Sequence, residues 1–141
     1  MGYAAEEVGL LGSREIAEKF RREETTVVGT LQLDMTMFPG GSPKISFITD
    51  FVDADLTRFT QRLVDSHVRA PWVEGKCGYA CSDHASWNRV GYASAFPFEA
   101  PPGKRNQKIH TPRDTHDRLS ASHGVTFLKL ALAFAIELGL E

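Results

Sequence analysis

The sequence predicts an α/β fold, a mixed, mostly parallel sheet flanked by helices, and three observations carry that prediction. Short β-rich segments alternate with helical ones along the chain. The run TTVVGTLQLDM, residues 25–35, is mostly apolar, as a strand covered on both faces requires. The run DADLTRFTQRLVDSHV, residues 53–68, sets Leu56, Phe59, Leu63, Val64 and Val68 on one helical face.

Each element follows in order. Residues 1–5 read as the tail of a strand. Gly12-Ser13 then opens a helix, with Ser13 as its N-cap. Ile16, Ala17 and Phe20 share its inner face, while Arg14, Glu18, Lys19 and Arg22 face water. The strand at 25–35 comes next, then a second strand, KISFITD, at 44–50, then the helix at 53–68. YASAFPFE, 92–99, is a strand in which Pro97 implies a sheet edge or the strand's end, because proline has no N–H to donate. EAPPGKRNQK, 99–108, is an exposed loop. Residues 120–138, which contain VTFLKLALAFAIEL, form a helix that is apolar nearly all round and is expected to be largely buried. The first strand, about five residues long, is poorly suited to a central place in a sheet. The domain is therefore expected to begin earlier, leaving residues 1–141 as the N-terminally truncated, C-terminal portion of a single domain.

Bulk properties narrow the function. With 141 residues, 42% of them hydrophobic, the chain can bury one core. A net charge of −2 and a pI of about 6.2 provide no basic field for nucleic acid or an anionic membrane, so neither is an expected partner. No apolar run is expected to reach the roughly 18 residues of a membrane span. The opening MGYAAEEVGL has neither the basic region nor the long apolar region of a secretory signal. The two cysteines, Cys77 and Cys81, match neither a zinc ribbon nor a CxxC redox motif. On spacing alone they are either a pair or two unrelated buried thiols.

Glu6, Glu7, Asp34 and His110 fall at predicted strand ends or in loops, where sites on open α/β sheets gather. Carboxylate oxygen and imidazole nitrogen together suit a divalent ion, and zinc accepts both. Adjacent glutamates on a straight strand would point to opposite faces. On a strand-to-loop turn both can reach one site, one as a ligand and the other as a proton acceptor. The competing reading of the pair is two solvated loop residues. Met35, Ile48, Phe96, Phe98 and Ile109 read individually as core. Ser82, Asp83 and His84 are candidates to support ligands by hydrogen bonds. His67 reads as helix surface, His116 and His123 as loop or helix-start residues, and Trp87 as packing.

In sequence order, YAAEEVGLLGS, LQLDMT, CGYACSDHASW and IHTPRDT closely resemble the secreted bacterial leucyl aminopeptidases of the zinc-dependent M28 peptidase family, essentially end to end. The resemblance implies a zinc-exopeptidase-type fold and a two-zinc site. In it Glu6 is the general base, Glu7 and His110 bind one zinc, and Asp34 binds the other. It implies hydrolysis of the first peptide bond of substrates with a free N-terminus. It also implies a disulfide between Cys77 and Cys81 that holds Tyr79 at the substrate pocket, and an extracellular location. The pocket would be lined by Met35, Ile48, Phe96, Phe98 and Ile109. Relatives tend to carry aromatics in the loop where Pro102 and Arg105 stand here, a departure expected to make the pocket wider or more polar on that side.

The family's site also takes a His and a bridging Asp from an earlier HxD segment that these residues lack. This chain alone is therefore expected to be incomplete and inactive, and the complete protein a monomer. The alternatives are a peptidase-like binding domain without a full metal site, or another M28 reaction such as carboxypeptidase or cyclotransferase chemistry. CGYACSDHASW favours the aminopeptidase branch.

Overall fold

Ile45, Ser46, Phe47 and Ile48 are all buried, and the strand they form organises the fold. The computed structural model describes residues 1–140. In chain order its strands are β1 (Thr30–Leu31), β2 (Ile45–Ile48), β3 (Trp72–Gly75) and β4 (Ser94–Phe98), arranged β1-β4-β2-β3 in one sheet. β2 runs parallel to β3, β1 runs parallel to β4, and β2 and β4 are antiparallel. The sheet is thus mixed, with two parallel ladders out of three, as the alternation of elements predicts.

Alternation along the strands builds two apolar clusters, one on each face. Ile45, Phe47 and Ala95 join Leu63, Val64, Phe127 and Leu130 in the larger one. These come from helix α2 (Ala54–Leu63), the wider turn after it (Val64–Val68) and helix α4 (Ala121–Gly139). Ile48, Phe96 and Phe98 form the smaller cluster, against which Met35, Phe38, Cys77 and Cys81 pack. Helices α1 (Leu11–Arg22) and α3 (His84–Arg89) pack against each other, and α3 meets β4. α2 starts where sequence predicts, because the Asp53 side chain accepts from the Leu56 amide at 2.7 Å. α4 is capped in the same way by Ser120, which accepts from the His123 amide at 3.2 Å.

Several expectations are corrected. Residues 1–5 form no strand; they are irregular and lead into a tight turn over Glu6–Val8. Ser13 caps nothing: α1 begins two residues earlier, and the Ser13 hydroxyl is buried at 2.8 Å from that of Ser86, tying α1 to α3. Gly12 permits the crossing of the N-terminal segment over α1, since a Cβ there would lie 2.5 Å from the Ala4 carbonyl oxygen. The strand expected at 25–35 shrinks to Thr30–Leu31 at the sheet edge, where Val28 and Leu33 are exposed rather than covered. β3 and α3 were not anticipated; each is short, and α3 lies within a stretch read for its polar residues.

Pro97 sits in an interior strand rather than at an edge. Ala93 and Ala95 present their carbonyls to β1, which accounts for the side Pro97 faces, and β1 ends before reaching it. The missing N–H therefore costs no ladder bond, because the neighbouring strand, not β4 itself, has ended. α4 is not largely buried: Leu128, Leu132 and Ile136 are exposed on one side, while Phe127, Leu130 and Phe134 face the core. By length and composition α4 is apolar enough to cross a membrane, contrary to the expectation for this chain. Its inner face instead packs on α2 and the turn after it.

Candidate active site

One cavity of about 560 Å³ gathers Glu6, Glu7, Asp34 and His110, four polar residues separated by up to about a hundred positions in sequence. The turn at Glu6–Val8 accounts for the adjacent glutamates. Ala5 precedes it at φ 59° and Gly9 follows at φ 106°, so the backbone curls and both carboxylates reach the same space. The Glu6 carbonyl closes the turn by accepting from the amides of Gly9 (3.1 Å) and Leu10 (2.9 Å). Left-handed backbone at non-glycine residues clusters here: Ala5, Leu10, Met35 and His110 all have φ near 60°. Such strain persists where surrounding structure over-determines it, and it concentrates at functional sites.

His110 Nδ1 lies 3.2 Å from Glu7 Oε1, and both side chains are largely exposed. Asp34 is oriented from behind: the Ser82 hydroxyl donates to its Oδ2 at 2.7 Å, and Gln32 Nε2 donates to Ser82 at 3.1 Å. Burial, followed by the neighbouring charges of Asp34, Glu7 and Asp83, raises the Glu6 carboxyl above its ordinary value, against the opposing pull of His110. The donor set suits zinc by its chemistry, with imidazole and carboxylates brought together on two loops and a turn. Geometrically it is a partial set. Glu7 and His110 are close enough to share an ion, Asp34 is held separately, and no group of three or more His, Cys, Asp or Glu donors is placed for one metal among the described residues.

The apolar wall comes from Met35, Phe96, Phe98 and Ile109, with Tyr79 and the Cys77–Cys81 disulfide beside them. Ile48 does not line the cavity; it is buried in the cluster behind Phe96 and Phe98. Asp50 anchors the disulfide loop. Burial raises its carboxyl, but hydrogen bonds from the amides of Gly78 (2.6 Å) and Cys77 (3.1 Å) outweigh this and hold it below its usual range.

Sequence reasoning missed three supports. Glu99 is buried and accepts from the amides of Met37 (2.8 Å) and Phe38 (2.6 Å), fixing the loop after Asp34; burial raises its carboxyl despite those bonds. Asn106 is buried and donates to Asp114 at 2.7 Å, closing the loop that carries His110. Phe38 adds to the wall. The one legible signal was a glutamate ending an apolar strand. Among the other histidines, His67 is on a helical surface and His116 in an exposed turn. His123 is buried, with Nε2 2.7 Å from the Glu99 carbonyl oxygen. Trp87 is buried and packs edge-on against Phe20.

His84 lies beneath the site, its ring 4.6 Å from that of Phe96 and its Nε2 3.3 Å from the Asp50 carbonyl oxygen. Burial drives its pKa from 6.5 down to about 4, overriding the Asp50 contacts that favour the charged form. An unfolded chain protonates this imidazole below pH 6.5, whereas the native chain does so only near pH 4. The stability linked to neutral His84 is therefore present above pH 6.5 and lost as pH falls through about 4. The loss expected is about 3 kcal/mol, at roughly 1.4 kcal/mol per pH unit. Urea midpoints between pH 7.5 and 4.5 should fall more steeply for the wild type than for His84→Gln; equal slopes would refute this assignment.

A model of the family described as Peptidase family M28 matches residues 1–135. Leucine aminopeptidase 1 of Coccidioides posadasii (strain C735) is 44% identical over 142 residues, an alignment covering 96% of this chain and 37% of that protein. Among solved structures, the Legionella pneumophila LapA aminopeptidase is 41% identical with a TM-score of 0.94, over 99% of this chain and 38% of its own. LapB from Legionella pneumophila is 39% identical with a TM-score of 0.95, over 99% of this chain and 39% of its own. The chain thus spans less than two-fifths of the length of these relatives.

Proposed function

The chain belongs to peptidase family M28, and from that premise we propose that it forms, or forms part of, a zinc aminopeptidase that removes N-terminal, leucine-like residues from peptides. The observation that carries this reading is the convergence of Glu6, Glu7, Asp34 and His110 on one cavity with an apolar wall. Two zinc ions are proposed, one held with Glu7 and His110 and the other with Asp34. Zinc bound there supplies Lewis acidity toward the carbonyl under attack.

Glu6 takes the proton of the attacking water and returns it to the departing amine. Its raised carboxyl pKa brings it nearer the pH at which both transfers must occur. Ser82 fixes the rotamer of Asp34, so the site need not spend substrate binding energy on ordering it. Met35, Phe96, Phe98 and Ile109 receive the side chain of the first residue, with Tyr79 at the rim and Ile48 supporting the wall from behind. The Cys77–Cys81 bridge supports an extracellular setting. We propose a monomer as the working form and peptides with a free N-terminus as its only partners.

A second reading, a peptidase-like binding domain without a full metal site, is favoured by the lack of a three-donor group among the described residues. Leucine p-nitroanilide hydrolysis and zinc content of the full natural protein separate the two. The aminopeptidase reading expects near two zinc per chain, loss of hydrolysis with a chelator and recovery with zinc. Near-zero zinc with no hydrolysis would establish the second reading.

A further inference from the structure

Arg105 adds a cation to the cavity lining, against the ring of Phe98. It comes from the loop after β4, lines the cavity, and is half-buried. Its guanidinium stacks 5.3 Å from the centroid of the Phe98 ring. One terminal nitrogen donates to the Lys76 carbonyl at 2.9 Å and touches the Cys77 sulfur at 3.6 Å. Those contacts fix where the charge sits, because stacking and a backbone bond together restrict a long, flexible side chain. They do not neutralise it: no carboxylate lies within 4.0 Å of Arg105 among the described residues.

Four of the five acids that line the cavity have other partners. Glu7 faces His110, Asp34 accepts from Ser82, Glu99 accepts two backbone amides, and Asp114 accepts from Asn106. The lining therefore includes a guanidinium that lies against Phe98 with no carboxylate within 4.0 Å of it among the described residues. A guanidinium has five N–H donors, and a single backbone carbonyl leaves most of them available.

We infer that Arg105 is a specificity-determining residue that selects against N-terminal lysine and arginine and admits, besides apolar residues, glutamine and glutamate, whose short apolar stem ends in an oxygen acceptor. This rests on the aminopeptidase reading of the same cavity. A basic side chain packed against Phe98 would bring like charges together in a partly desolvated space, and like charges there are costly. An amide or carboxylate oxygen would find a fixed donor. The same guanidinium explains how a polar residue can stand in an apolar wall: its face covers Phe98 while its edge carries the polarity.

The test compares kcat/KM for the p-nitroanilides of leucine, glutamine and lysine in the full natural protein and in Arg105→Gln and Arg105→Lys. Gln can keep a donor for the Lys76 carbonyl but carries no charge; Lys keeps the charge but not the planar fork. The glutamine-to-lysine ratio is expected to fall about tenfold or more in Arg105→Gln and to be largely kept in Arg105→Lys. A ratio unchanged in Arg105→Gln, or a parallel loss on all three substrates, would overturn the inference and leave Arg105 a strut for the disulfide loop. Failure of the wild type on every anilide would instead count against the aminopeptidase reading. Calorimetric binding of free L-glutamine and L-lysine then decides the role of Arg105 alone: tighter glutamine binding that Arg105→Gln abolishes supports it, and equal binding of both overturns it.

Discussion

Glu6→Gln in the full natural protein is expected to lower kcat by about 10²–10⁴-fold, the usual contribution of a positioned general base, while leaving zinc content unchanged. The substitution keeps the side chain's size and removes its capacity to accept a proton. The backbone should not respond, because the turn is closed by the Glu6 carbonyl and not by its side chain. Glu7→Ala should behave differently, lowering zinc content together with activity, since Glu7 is the member of the pair that meets His110. Steady-state kinetics alongside metal analysis distinguishes them. A Glu6→Gln enzyme with near-normal kcat would remove the base from the proposed mechanism, and equal zinc loss in both variants would mean their roles are not divided.

Phe47→Ala is expected to cost about 3–5 kcal/mol of stability, the range for truncating a fully buried phenylalanine. Phe47 is 0% exposed at the centre of β2, flanked by β3 and β4. Its ring meets Trp72 edge-on at 5.8 Å and belongs to the cluster formed with Val64, Phe127 and Leu130. Neighbours drawn from two strands and two helical segments cannot all collapse into the space left behind, so a cavity remains. Denaturant unfolding of the natural protein measures the loss, with Glu18→Ala on the exposed face of α1 as a control expected within about 0.5 kcal/mol. A Phe47→Ala midpoint indistinguishable from the control would show that β2 is not the centre of the stabilising core.

The parts of the fold read correctly from sequence are those in which local pattern and tertiary environment agree. The segment 53–68 carries a helical stripe that operates as read, although the last five residues widen into a looser turn. KISFITD contains β2 almost as drawn. The failures lie where pattern was weak or where context overrode it. β3 is four residues of no strong alternation, and its pairing with β2 makes it a strand. Ser13 has the chemistry of a cap, yet the crossing of residues 1–5 over Gly12 starts the helix earlier and turns that hydroxyl toward Ser86. The run at 25–35 has the composition of a covered strand, but only two of its residues find a partner in β4.

For the site, residue type was legible and geometry was not. Glu6, Glu7, Asp34, His110 and the Cys77–Cys81 pair could be singled out from the chain itself and from its resemblance to the M28 peptidases, because carboxylate, imidazole and thiol side chains carry their chemistry wherever they stand. Left-handed backbone at Ala5, Met35 and His110, the buried carboxyl of Glu99 beneath the loop after Asp34, and the Asn106–Asp114 clasp could not, since each depends on contacts between segments far apart in the chain. The same holds for Arg105. In sequence it is a charged residue in a loop rich in proline and glycine; only the packing of that loop against Phe98 and the disulfide turns its charge into the cavity. Sequence by itself determined which groups could act, through hydrophobic periodicity and side-chain chemistry. Tertiary structure alone decided which of them meet, because the energies that hold a strained or buried polar residue in place come from neighbours that no local pattern encodes.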